Sequence, residues 1–144
     1  MTMYPEPMIA PMRAELTSIG FQELRTAADV EAAMQNPAGT TLLVVNSMCG
    51  CAARNARPGI ARALQQGARP DRLLTVFAGQ DGDATRQART YLTGYAPSSP
   101  SMGLLKDGEL VYMMERWQIE GRPADAIAAD LQEAFEKYCG VTAS

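Results

Sequence analysis

The sequence predicts an α/β fold: a central mixed β-sheet with helices on both faces and an added N-terminal helix. Three observations carry that expectation. Thr41–Asn46 and Leu73–Gly79 are short apolar runs rich in β-branched residues, as expected of strands buried on both faces. A helical stretch lies between them, so a right-handed crossover would make them parallel neighbours. Further on, Asp107-Gly108 separates two strand-length segments and is a strong signal for a two-residue hairpin turn, which adds antiparallel strands.

Each element follows from local pattern. Met8 to Ile19 reads as a helix with Met8, Met12, Leu16 and Ile19 on its apolar face, stopped at Gly20. Phe21–Leu24 is a short strand. Thr26 is an N-cap with Asp29 three residues on, and Val30, Ala33 and Met34 form the apolar face of the helix it opens. After the strand Thr41–Asn46, a helix is expected from about Gly50 to Gln66. Ala53, Ala56, Ile60 and Leu64 share its inner face, and Pro58-Gly59 must kink or interrupt it. Leu73–Gly79 is followed by a helix from Asp81 to Leu92 with an acidic first turn. An irregular loop, Ala96–Ser101, precedes the hairpin Met102–Lys106 and Glu109–Met114. Pro123 to Tyr138 closes the chain as a helix with Ile127, Leu131, Ala134 and Phe135 inward.

The chain has 144 residues of even composition and no repeats, so one domain is expected over residues 1–144. Its net charge of −3 argues against a nucleic-acid or anionic-membrane binder. No apolar run reaches the roughly 18 residues of a spanning helix, and Met1 to Pro11 lacks the basic start of a secretory signal. A cytoplasmic protein is expected. The chain contains 3 cysteines and no histidine. Imidazole-based catalysis, histidine-ligated zinc and histidine pH switching are thereby excluded.

Two of the cysteines form Cys49-Gly50-Cys51, where the strand Thr41–Asn46 gives way to a helix. Unsatisfied N–H groups and the positive end of the helix dipole favour thiolate there. Thiolate is the attacking species in disulfide exchange. Gly50 supplies the backbone freedom that a ring closed across one residue would need. Cys49, before the first helical turn, is expected to be the more exposed thiol and the nucleophile. Cys51, within that turn, is expected to point inward and resolve. The reverse assignment remains open because both feel the same helix end. A Cys-x-Cys metal-binding module is a further alternative. It lacks ligands, since only Cys139 is left over and a closed zinc site takes four.

The element order resembles that of the thioredoxin fold. The stretch Asn46-Ser47-Met48-Cys49-Gly50-Cys51-Ala52-Ala53, with Ala56-Arg57-Pro58 after it, resembles the bacilliredoxins, thioredoxin-like proteins with a Cys-Gly-Cys centre. Val76–Asp81, Pro97-Ser98-Ser99-Pro100-Ser101-Met102, and Arg116 with Ile119-Glu120-Gly121 match in the same order. The resemblance implies a cytosolic thiol–disulfide oxidoreductase that removes bacillithiol, or another low-molecular-weight thiol, from protein cysteines. Protein disulfide reductase or isomerase activity is the related alternative. It implies that no cofactor is needed beyond the thiol co-substrate, and that the partners are oxidised or thiolated cytosolic proteins. It also implies a cis peptide bond at Ser99-Pro100, facing the cysteines and offering main-chain groups to a substrate.

On this resemblance Gly50, Met48, Ser99, Pro100 and Arg57 are candidate substrate-binding residues. From the residues alone, Arg54 and Arg57 read as solvated surface arginines. The strand Thr41–Val45 carries no carboxylate, unlike the corresponding strand of ordinary thioredoxins. Asn46, Ser47, water or the partner thiol must therefore serve proton transfer. Cys139 is expected to be a bystander near a frayed tail, Gly140–Ser144. Trp117 and Tyr112 are expected to pack rather than bind.

Overall fold

The computed structural model describes residues 4–65 and 67–139. The helix end expected at Gln66 and the tail Gly140–Ser144 lie outside those residues. Five strands form one sheet: β1 (Gln22–Glu23), β2 (Thr40–Asn46), β3 (Arg72–Phe77), β4 (Ser101–Lys106) and β5 (Glu109–Met114). Their spatial order is β1-β3-β2-β4-β5. The pairs β1–β3 and β2–β3 are parallel, and β2–β4 and β4–β5 are antiparallel.

β2 is the central strand, and all seven of its residues are buried. Leu42 and Val44 point into one core, and Leu43 and Val45 into the other. That alternation explains why an unbroken apolar run makes a strand here: the sheet has no solvent face to mark with polar residues. The first core is closed by α3 (Arg57–Ala63) and α5 (Ala124–Tyr138), the second by α2 (Ala27–Ala33) and α4 (Gly82–Arg89). The hairpin turn is left-handed at both central residues, with φ of 51° at Asp107 and 88° at Gly108. Its pairing shifts between Leu104 and Leu105. The Thr26 side chain accepts a hydrogen bond from the Asp29 N–H at 3.0 Å and so caps α2.

Two helical faces differ from expectation. The N-terminal helix α1 (Glu6–Thr17) buries Ile9, Arg13 and Leu16, while Met8 is 51% exposed. The cause is Arg13, whose guanidinium is buried among Glu6, Glu23 and Asp81 and lies 5.4 Å from the Phe77 ring. An ion-paired arginine at the centre of a buried face breaks the apolar pattern used to find it. In the helix after β2, Ala52–Ala56 is a π-helical turn running into α3. The wider turn inserts a residue, so Ala52 and Ala56 face inward and Ala53 faces solvent. Pro58 sits in the first turn of α3 immediately after it, where its missing N–H costs little.

Candidate active site

β2 ends at Asn46, and a chain of short-range hydrogen bonds then fixes the cysteine loop. The Asn46 Oδ1 accepts from the Ser47 N–H at 2.8 Å, and the Ser47 hydroxyl accepts from the Cys49 N–H at 3.4 Å. The Cys49 carbonyl accepts from the N–H groups of Ala52 and Ala53 at 3.0 and 3.3 Å. Cys49 thus occupies the capping position of the helix. From there its sulfur lies near the N–H groups of the first turn, which favour the thiolate.

The Cys49 and Cys51 sulfurs are 2.6 Å apart as free thiols, so one can donate to the other. Burial pushes the Cys49 thiol up. Hydrogen bonds from Cys51, Ser47 and the helix N–H groups outweigh that and hold it below the ordinary thiol value. Cys51 is raised, first by burial and then by its neighbour Cys49. Both thiols are half-buried, and hydrogen bonding moves them in opposite directions.

The second half of the site arrives through sheet pairing. Ser101 on β4 lies opposite Val45 on β2, which brings the preceding loop beside the cysteines. The Ser99-Pro100 bond is cis, and Pro100 is buried. Three groups hold the Ser98 and Ser99 carbonyls. Ser101 Oγ and Arg89 Nη2 donate to Ser98 O at 2.8 and 3.3 Å, and Arg116 Nη1 donates to Ser99 O at 3.2 Å. Arg116 also pairs with Glu120 at 3.0 Å, and both cysteines lie within its electrostatic reach.

Cys49 and Arg116 border two open grooves. One, of about 680 Å³, is lined by Cys51, Arg54, Asn55, Glu120 and Arg122. The other, of about 290 Å³, is lined by Tyr4, Ser47, Met48, Ala78, Gly79 and Ser99. Gly50, Met48 and Ser99 are therefore gathered around Cys49, with Pro100 directly behind Ser99.

Arg57 is the exception among the candidates. It is 3% exposed, against the expectation of a solvated arginine, and does not line either groove. Its guanidinium donates to Asn46 Oδ1 and Ser47 O, both at 2.9 Å, and pairs with Glu15 at 2.8 Å. It holds the cysteine loop from behind.

Arg116 is not among the candidate site residues of the sequence, although it stands in one of the segments that carry the family resemblance. Trp117 beside it is 69% exposed rather than packed. Cys139 contacts Thr40, at the opposite end of β2 from Asn46. Seven strand residues span about 20 Å, so Cys139 is out of reach of Cys49 in the same chain. Among the described residues no group of three Cys, Asp or Glu side chains converges as a metal cage would, and no helix is long and apolar enough to cross a membrane.

A family model described as Disulphide isomerase matches residues 4–139. A bacilliredoxin of Koribacter versatilis is 57% identical over 141 residues, covering 98% of this chain and 97% of its own. A bacilliredoxin of Salinibacter ruber is 58% identical over 139 residues, covering 95% and 82%. Among solved structures, a mutant thioredoxin from Halobacterium salinarum superposes with a TM-score of 0.56 at 16% identity, covering 87% of this chain and 96% of that one. The Schistosoma mansoni thioredoxin pre-protein gives 0.56 at 17%, covering 83% and 98%. At such low identity the two thioredoxins speak for the fold alone. With a family model matched from Tyr4 to Cys139 and relatives more than half identical, the chain belongs to the bacilliredoxins, thiol–disulfide oxidoreductases on a thioredoxin-like fold.

Proposed function

We propose that the protein resolves mixed disulfides between a protein cysteine and a low-molecular-weight thiol such as bacillithiol, in the cytoplasm, with Cys49 as nucleophile. The carrying observation is Cys49 at the head of a helix, its carbonyl accepting the first helical N–H groups and its sulfur 2.6 Å from that of Cys51. The Cys49 thiolate attacks the small-thiol sulfur. The S–S bond to the protein cysteine breaks, its electron pair leaves on the protein cysteine sulfur, and water or the Cys51 thiol protonates it. A second small thiolate then attacks Cys49's adduct, releasing the symmetrical small disulfide and restoring Cys49. Alternatively, Cys51 displaces the small thiol and forms a Cys49–Cys51 disulfide, which two electrons from a further thiol pair must reduce. No prosthetic group enters either route, because electrons pass only between sulfurs. Ser99 and Gly50 offer main-chain groups to the substrate, and Met48 offers apolar contact.

The test is mass spectrometry of Cys49→Ser and Cys51→Ser proteins after exposure to a thiolated substrate protein. Cys51→Ser should accumulate the small-thiol adduct on Cys49, and Cys49→Ser should leave the substrate loaded. Turnover by Cys49→Ser as fast as the parent would overthrow the assignment. Disulfide isomerase activity is the second reading, favoured by the description of the matching family model. Reactivation of a scrambled multi-disulfide protein would support it.

A further inference from the structure

The segment before α1 reaches the site through one buried side chain. Tyr4 and Gln80 are 76 residues apart, yet their amides pair in both directions. The Tyr4 N–H donates to Gln80 Oε1 at 3.1 Å. Gln80 Nε2 donates to Tyr4 O at 2.9 Å and to Glu6 Oε1 at 3.2 Å. Gln80 is buried, and its side-chain amide acts as a strand partner for a single residue. Its place is set at the end of β3. The Ala78 N–H donates to Asn46 O at 2.9 Å, and Gly79, at φ 83°, then turns the chain through a left-handed conformation open to glycine.

This pairing does more than start α1. The helix is already tied down by Arg13, which meets Glu6, Glu23 and Asp81, and its first turn closes on Pro5 O through the Met8 N–H. Tyr4 lies before that cap. Gln80 gives both main-chain groups of Tyr4 a partner, and the Tyr4 residue is thereby fixed as a wall of the smaller groove beside Cys49. Tyr4 and Met48 are the large apolar groups there, while Ala78 and Gly79 add almost no side chain. Arg116 is the one charged lining group and is already held by Glu120 and Ser99 O. The groove, of about 290 Å³, has room for one side chain and the backbone that carries it.

We infer that Tyr4 is a specificity-determining residue for the protein half of the mixed disulfide, that it receives an apolar side chain next to the thiolated cysteine, and that Gln80 is the positioning residue that holds it there. The inference rests on the oxidoreductase reading and adds which sequence around the cysteine is preferred. A phenol ring and a thioether offer apolar burial and no free charge, so a leucine gains there what a serine does not. A polypeptide fits this groove because Ala78, Gly79 and Ser99 present main chain along which an extended segment can lie.

The experiment uses two peptides with one cysteine each, flanked on both sides by Leu in one and by Ser in the other. Both are loaded with 2-mercaptoethanol, and the readout is the ratio of kcat/KM, Leu peptide over Ser peptide. The parent should prefer the Leu peptide. Tyr4→Ala should lower the ratio about fivefold, as expected for one aromatic contact, chiefly through KM, and Tyr4→Phe should keep it. Gln80→Leu leaves Tyr4 in the chain but removes both of its partners; it should lower the ratio as far, and the double variant no further. A merely structural role for Gln80 would instead spread the loss over both peptides and add to that of Tyr4→Ala. A parent without preference, or an equal loss on both peptides in Tyr4→Ala, overturns the assignment of Tyr4 while leaving the exchange chemistry intact. A ratio unmoved by Gln80→Leu overturns the role of Gln80. If the parent frees neither peptide, the oxidoreductase reading fails and the assignment falls with it.

Discussion

Replacing Arg57 with Met tests whether a buried cation behind the site holds the cysteine loop in place. The substitution keeps most of the aliphatic stem and removes the guanidinium. Three interactions are lost, and their environments differ. The pair with Glu15 involves a carboxylate whose side chain is 47% exposed, so its loss costs at most about 1 kcal/mol. The Asn46 Oδ1 keeps the Ser47 N–H at 2.8 Å and is not left unsatisfied. The Ser47 carbonyl, on a residue 6% exposed, loses its side-chain donor, at a cost of about 1–3 kcal/mol. Together these predict a destabilisation of about 3 kcal/mol, or about 10 °C in Tm for a chain of this length. The effect on chemistry should be separate. With Ser47 loosened, the hydroxyl that helps hold the Cys49 thiol down is less well placed, so its alkylation profile should move to higher pH. Circular dichroism melts of the reduced protein and iodoacetamide rates against pH measure the two effects. Arg57→Lys should recover some stability but cannot serve Glu15 together with Asn46 and Ser47, which the guanidinium reaches through separate nitrogens, Nε and Nη1. A melt within about 2 °C of the parent, with an unshifted alkylation profile, would refute the reasoning.

Two further outcomes follow from single close contacts. Cys51→Ala removes the nearest donor to the Cys49 sulfur, so the pH at which half of Cys49 is thiolate should rise, read from thiolate absorbance near 240 nm; an unmoved profile would mean the helix N–H groups act alone. Gly59→Ala places a Cβ 2.9 Å from Ile127 Cβ and 3.1 Å from Ala124 O, where α3 meets α5. Neither atom can swing aside, so urea unfolding should show a loss of about 2 kcal/mol with an unchanged m-value.

The parts of this molecule legible in its sequence are those whose causes lie within a few residues. The run at β2, the Asp107-Gly108 turn and the Thr26 cap are local physics, and each forms where expected. The Cys-Gly-Cys loop was also readable, because a strand end and a helix start are both marked nearby. What escaped depends on partners distant in sequence. Arg57 finds Glu15 42 residues away, and Arg13 finds Asp81 68 residues away. Alone, each looks like a surface charge, and only the folded sheet supplies the acceptors that bury it. Ala53 faces solvent although Ala56, Ile60 and Leu64 face inward as expected, because the π-turn, which has no strong composition signal, puts Ala52 on the inner face in its place. Arg116 reaches the site from the far end of β5 because β4 pairs with β2, a register that emerges only once the sheet is assembled.

Trp117 is the single tryptophan of the chain, and it stands largely in solvent one residue from the guanidinium that borders both grooves. The protein therefore carries its own optical reporter beside the reacting sulfurs. A polypeptide that covers this corner would withdraw the indole from water and move its emission to shorter wavelength, whereas a small thiol joined to Cys49 is too small to cover it and would leave the indole wet. Encounter with the protein half and loading of the small half can thus be timed separately in one stopped-flow trace, without attaching a dye.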